Sequence, residues 1–162
     1  MKSIFILSFL IIVIFIPVIG SAQVNISAGN TVTETFSIGT SATATLPSGW
    51  KADKNATART LGTYSAAVSA TEQSAGNSMS STASNGIYNF ASGDPTTATD
   101  RAVGGLSSGT ASKSVNVYVQ LYNNGANQIS DFTISYNVEK YRMGTNTAGF
   151  SIQMYYSSST TG

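Results

Sequence analysis

The chain has 162 residues, eight of them basic and seven acidic, with no cysteine and no histidine. Disulfides, thiolate metal sites and cysteine nucleophiles are therefore excluded, and the commonest general base and metal ligand is missing with histidine. Charged residues make up only 9% of the chain, against about 25% in an average soluble domain, so bulk charge attracts neither nucleic acid nor an anionic membrane.

The first segment reads as a secretory signal. Lys2 supplies a positive start, Ile4 to Ile16 is an almost unbroken apolar run, Pro17 interrupts it, and Gly20-Ser21-Ala22 offers small residues for cleavage. Cleavage after Ala22 leaves Gln23 at the mature end and removes Lys2, which makes the remaining charge balance even. The rival reading is an uncleaved anchor. Ile4 to Ile19 spans roughly 24 Å at about 1.5 Å per residue, short of the roughly 30 Å hydrocarbon core, and no basic cluster follows. The expected organisation is a signal over 1–22 and one domain over 23–162, exported to the cell surface or the medium, with no membrane span after cleavage.

Beyond the signal no helical period is sustained, and the apolar residues alternate. Val32–Ile38 and Ala42–Leu46 are expected strands, ending at the Pro47-Ser48-Gly49 turn that precedes Trp50. Thr60–Val68, Gly86–Phe90 and Arg101–Leu106 are shorter candidates. The Ser/Thr/Ala/Gly-rich stretch Ser65–Ser84 suits either a long loop or small-residue strands. The clearest alternation runs from Ser114 to Tyr122, with Val115, Val117, Val119 and Leu121 on one face. Residues 123–127, Asn-Asn-Gly-Ala-Asn, favour a reversal. Phe132, Ile134, Tyr136 and Val138 then align again, which predicts an antiparallel hairpin forming the heart of the core. A last strand is expected over Ala148–Tyr156. Many short strands with Gly, Pro, Asn and Asp punctuation predict an all-β antiparallel sandwich, jelly-roll-like. Because a strong strand runs almost to Gly162, the sheet is expected to be incomplete at that end and the chain to continue into further domains.

Leu46-Pro47-Ser48-Gly49-Trp50 with Asp53-Lys54, residues 85–90 (NGIYNF), residues 100–109 (DRAVGGLSSG), and Ile134-Ser135-Tyr136 followed by Glu139, Tyr141 and Arg142 carry a resemblance. Together they resemble an uncharacterised N-terminal domain of large secreted bacterial proteins of the type IX secretion kind, over roughly Phe36 to Tyr156. The resemblance implies a β-sandwich module placed beside lamin-tail-like, nuclease or adhesin-type domains. It carries no catalytic residues to transfer.

Candidate chemistry is sparse. The acids Glu34, Asp53, Glu72, Asp94, Asp100, Asp131 and Glu139 form no catalytic motif, and the nucleophile and base partners of the usual hydrolytic arrangements are missing. No catalytic or metal-ligating residue is therefore assigned. Calcium is the cation best matched to such donors, through Asp94 and Asp100, with an ordinary Asx turn as the alternative. Gly104-Gly105 with 107–109 lacks the Lys-Ser/Thr pair of a phosphate loop and reads as a strand connection. Glu139 and Arg142 could clamp a polar ligand or form a structural ion pair. Tyr118, Tyr122 and Tyr155, interleaved with Asn and Gln, and Trp50 near its turn, could stack on sugar rings or pack beneath loops. The expected function is a non-enzymatic extracellular structural or adhesion-type module. Its expected partners are glycans, cell-surface components or further domains of the polypeptide, and not nucleic acid. A carbohydrate-binding module and an accessory domain of an extracellular hydrolase are the alternatives.

Overall fold

The computed structural model describes residues 22–80, 82–108, 111–142 and 150–159. The expected signal, apart from Ala22, and the first two residues of the last expected strand lie outside them. Among the described residues there is no helix. The described residues form seven strands: β1 (Val24–Ile26), β2 (Trp50–Asn55), β3 (Gln73–Ala75), β4 (Gly86–Ala91), β5 (Arg101–Leu106), β6 (Ser114–Val119) and β7 (Leu121–Asn123). They pair as β1–β7, β2–β6 and β3–β4–β5.

β4 is the most deeply placed strand, buried at every position. A strand covered on both faces reads as a continuous apolar run, and Ile87, Tyr88 and Phe90 satisfy that. Asn89 is the polar exception, with its Nδ2 donating to the carbonyls of Gly39 at 2.8 Å and Ser41 at 3.0 Å. Antiparallel to β4, β5 sets Gly105 opposite Ile87 and Gly104 opposite Tyr88. A Cβ on Gly105 would lie 2.3 Å from the Val115 side chain, so the missing side chain lets β6 pack closely on β5.

β2 and β6 form a six-residue antiparallel ladder from Trp50↔Val119 to Asn55↔Ser114. On its other side Ala52 exchanges both backbone bonds with Val68, each 2.9 Å. The chain from Val68 onward then crosses between sheets: Ser69 O accepts from Leu46, Thr71 donates to Ala44 O, and Glu72 donates to Ile87 O. Leu46, Ala52 and Ile87 meet at this crossing and form the core, flanked by Ile38, Trp50, Val103 and Val115. The Pro47–Trp50 turn closes with Trp50 N–H on Pro47 O at 2.9 Å, and Gly49 takes φ +83°, the positive φ that a type II turn requires at its third position.

The coarse expectation of an all-β chain with several sheets holds. β5 matches its expected span, and β4 extends the expected one by Ala91. Several finer expectations are corrected. The sheets are mixed rather than antiparallel, since β1–β7 and β3–β4 run parallel. The expected Ser114–Tyr122 strand divides at Gln120, whose N–H goes to Gly49 O and whose carbonyl accepts from Val24. The expected hairpin does not form: β6 pairs with β2, and the Phe132–Glu139 segment joins no strand. Alternation specifies which face a residue takes but not which strand lies alongside, and β2 offers Asp53 for the polar face of β6. The core accordingly lies at Leu46, Ala52 and Ile87 rather than in that hairpin. Val32–Ile38 is broken because Phe36 takes φ +52°, a left-handed conformation costly for a bulky residue. Glu34 Oε1 holds the Phe36 N–H at 2.6 Å, and the Phe36 ring meets Trp50 edge-on at 4.8 Å. Ala42–Leu46 and Thr60–Val68 are reduced to the single bridges Thr45↔Ala70 and Ala52↔Val68. The described part of the last expected strand, 150–156, is likewise in no strand.

Candidate functional site

The densest polar cluster sits where β2 and β6 face the loop over residues 57–62. Asp53 and Asn116 are register partners, so their side chains emerge side by side, and Tyr118 follows two residues along on the same face. Asp53 Oδ1 accepts from Asn116 Nδ2 at 2.7 Å, and Asp53 Oδ2 accepts from the Tyr118 hydroxyl at 2.8 Å. That hydroxyl in turn accepts from the Gly62 N–H at 2.9 Å. Asn116 also donates to Thr60 O at 3.0 Å. Ser114 completes the latch, accepting from Thr60 N–H at 3.0 Å and donating to Thr57 O at 2.8 Å. Burial, reinforced by the Asp53 carboxylate, pushes the Tyr118 hydroxyl up to about 12, so it stays a donor at physiological pH. Gly62 is required here, because a Cβ would fall 1.9 Å from Asp53 Oδ2.

Other ionisable groups also tie backbone together. Glu72 pairs with Lys54 at 2.7 Å and accepts from the Ile87 N–H at 3.1 Å, which links β2 to β4. Burial opposes its ionisation, but the Lys54 hydrogen bond, the Ile87 N–H and the Lys54 charge together hold its carboxyl below the usual range. Asp94 makes an Asx turn, accepting from both the N–H and the hydroxyl of Thr96 at 2.7 Å. Those bonds lower its carboxyl. Arg101 is buried at 3% exposure, with Nε on Ala98 O at 2.8 Å and a terminal nitrogen on Pro95 O at 2.7 Å. It therefore clamps the turn that Asp94 opens. Among the described residues no group of three or more acidic, His or Cys side chains is placed to hold a metal ion.

The sequence-derived ligand candidates are dispersed. Tyr118 belongs to the latch beneath the 57–62 loop. Trp50 is half-buried against Phe36 and the core. Tyr122 stands 52% exposed in β7, and Tyr155 stands 55% exposed on an unpaired segment, its hydroxyl donating to Gln153 at 2.6 Å. The three tyrosines thus lie on three different elements and share no sheet. Glu139 accepts a hydrogen bond from Tyr141, whose ring stacks on Phe90 at 4.7 Å, and Arg142 lies close enough for its charge to act on Tyr88. Burial, opposed by that charge, raises the Tyr88 hydroxyl. The region Glu139–Arg142 is thereby tied to β4 through Tyr88 and Phe90.

Sequence reasoning did not find the Asp53–Asn116–Tyr118 latch. Part of its signal was present, since Asn116 and Tyr118 sit two apart on the polar face of a strand, whereas Asp53 lies in β2, which was not expected as a strand. Register alone brings them together. An open cavity of about 840 Å³ lies between the Gly76–Ser80 loop, Tyr88 and the Gly93–Pro95 turn, with a mixed lining in which Ala75, Met79, Ala83 and Pro95 stand beside Gln73, Asn77 and Ser78. Comparison with known families, curated proteins and solved structures returns no match for this chain.

Proposed function

We propose that the chain is a non-enzymatic extracellular module, structural or adhesive, built as a jelly-roll-like β-sandwich and exported through residues 1–22. In this reading it forms part of a larger secreted or surface protein, as the likeness to N-terminal domains of the type IX secretion kind implies. One observation supports it above the others. Glu72, Asp94 and Arg101 each bond a backbone group directly, and Asp53 reaches the 57–62 loop backbone through Asn116 and Tyr118, which is the chemistry of a scaffold rather than of a reacting centre.

A bacterial host expressing the chain should release a product beginning at Gln23, and that product should turn over no polysaccharide, peptide or nucleotide ester while adhering to a defined extracellular surface. Turnover that vanishes on replacing one of those carboxylates would sink the reading. Carbohydrate binding is the second reading, favoured by the solvent-facing rings of Tyr122 and Tyr155 beside amide side chains. A glycan array probed with the protein and with a Tyr122→Ala/Tyr155→Ala variant tests it, and equal signals from the two would remove it.

A further inference from the structure

The largest unexplained feature is a pair of alternating segments with no partner. Phe132, Ile134, Tyr136 and Val138 are 61, 47, 56 and 52% exposed, and Phe150, Ile152, Met154 and Tyr156 are 65, 50, 55 and 100% exposed. No backbone hydrogen bond joins 128–140 or 150–156 to another described residue. An extended apolar strand with an unpaired backbone is a template for another strand, and apolar surface this concentrated marks an interaction site.

We propose that these two segments form an interface between two copies of this chain, in which 132–138 of one copy pairs antiparallel with 150–156 of the other. One register satisfies both faces. It sets Phe132 opposite Tyr156, Ile134 opposite Met154, Tyr136 opposite Ile152 and Val138 opposite Phe150. On the reverse face it sets Thr133 opposite Tyr155, Ser135 opposite Gln153 and Asn137 opposite Ser151. Aromatic and aliphatic cross-strand pairs of this kind are the stabilising unit of antiparallel sheets. A shift by one residue would set Tyr136 against Gln153 and Val138 against Ser151. The contact is isologous, because each copy contributes both strands and so repeats the same seam.

The size is adequate. Fully burying an aromatic side chain removes roughly 150–250 Å², so the four aromatics, at half to full exposure, supply roughly 400–700 Å² per copy. The four aliphatic residues carry this to the roughly 800 Å² per partner of a stable interface. Electrostatics does not oppose it, since basic and acidic residues are nearly balanced and the two paired stretches contain no charged residue. Within one chain, no backbone hydrogen bond joins the two segments to each other or to another described residue, which is why a second copy is the chosen occupant. The inference stands apart from the proposed function, because a monomer would end it while leaving a non-enzymatic module intact.

The natural absence of cysteine gives a clean test on the full chain. A chain carrying Ile134→Cys mixed with one carrying Met154→Cys should, under mild oxidation, give covalent dimers joining the two variants several-fold in excess of either variant alone. Light scattering of the unmodified chain should report a dimer, and Ile134→Asp should shift it to a monomer with unchanged circular dichroism. A monomeric unmodified chain at every concentration overturns the proposal, whatever the variants do. So does a doubly substituted chain that closes its disulfide within one molecule.

Discussion

The region from β2 to β6 and the two segments 132–138 and 150–156 arrive at opposite outcomes. β6 in the first and both segments of the second alternate apolar and polar residues. In the first, Ile87 is 1% exposed and Ala52 fully buried, with a backbone partner on each side of Ala52. In the second, Ile134 is 47% exposed and Phe150 65% exposed, and no backbone hydrogen bond joins 128–140 or 150–156 to another described residue. The difference lies in neighbours: β2, β4, β5 and β6 each carry something specific that fits the next strand. Gly105 makes room for Val115, Asp53 receives Asn116 and Tyr118, and Glu72 caps the Ile87 N–H. Residues 132–138 and 150–156 have the greasy face without such contacts among the described residues. Alternation makes a strand available, and complementarity decides whether it is used.

The largest separation between the two regions should come from matched truncations. Ile87→Ala opens a cavity in the core cluster and should cost about 2–5 kcal/mol. Ile134→Ala, at concentrations where the chain is monomeric, should stay within about 0.5 kcal/mol. Urea denaturation of the two variants measures this, and equal losses would erase the distinction. Gly49→Val comes next. It combines a side chain at φ +83° with a Cβ 2.7 Å from the Val24 N, and should destabilise by more than about 1 kcal/mol, with faster amide exchange in β1 and β7 as its local mark.

Asp53→Ala strips the acceptor from Asn116 and Tyr118 and leaves half-buried donors behind, a loss of about 1–3 kcal/mol. The 57–62 loop should then become protease-sensitive while the β3–β4–β5 sheet keeps its protection. Intact cleavage resistance would show the latch to be dispensable. Alkaline titration reads the same latch from the other side. Tyr118 ionises at about 12, above the free-tyrosine value of about 10. Its contribution is therefore complete below pH about 10 and lost as pH rises through about 12. In ultraviolet titration Tyr118→Phe should remove one late-ionising tyrosine from the alkaline limb at pH about 12.

The smallest effect belongs to Glu72. Its folded carboxyl lies below the ordinary glutamate value, so its stabilisation is present above about pH 4.3 and is lost as pH falls through the lowered value. The Lys54 pair is partly exposed, with side chains 41 and 37% accessible, which limits the effect to under about 1 kcal/mol. Glu72→Gln should flatten the acid limb of stability against pH, and an unchanged limb would assign acid sensitivity to other carboxylates.

Legibility in the sequence was uneven in a physically sensible way. β4, β5 and most of β6 were readable because alternation or a short apolar run between turn residues is local information. Val32–Ile38 misled, since nothing local announces that Phe36 turns left-handed to meet Trp50. β1 was invisible because three residues carry no period, and β3 because Gln-Ser-Ala carries no apolar pattern. Tyr118 and Trp50 were visible as aromatics beside polar residues, but their commitment to Asp53 and Phe36 depends on partners far away in the chain.

By itself the sequence determined an all-β chain without thiol or imidazole chemistry, the bounds of β5, those of β4 to within one residue, and the turn at Gly49, while β2 went unread. All of these follow from side-chain size, periodicity and φ preference within a few residues. Tertiary structure alone decided that β6 pairs with β2, that β1 and β3 run parallel to their neighbours, and that Asp53 latches a loop through Asn116 and Tyr118. Those outcomes depend on which distant surfaces fit one another, and a strand's own alternation contains no record of its partner.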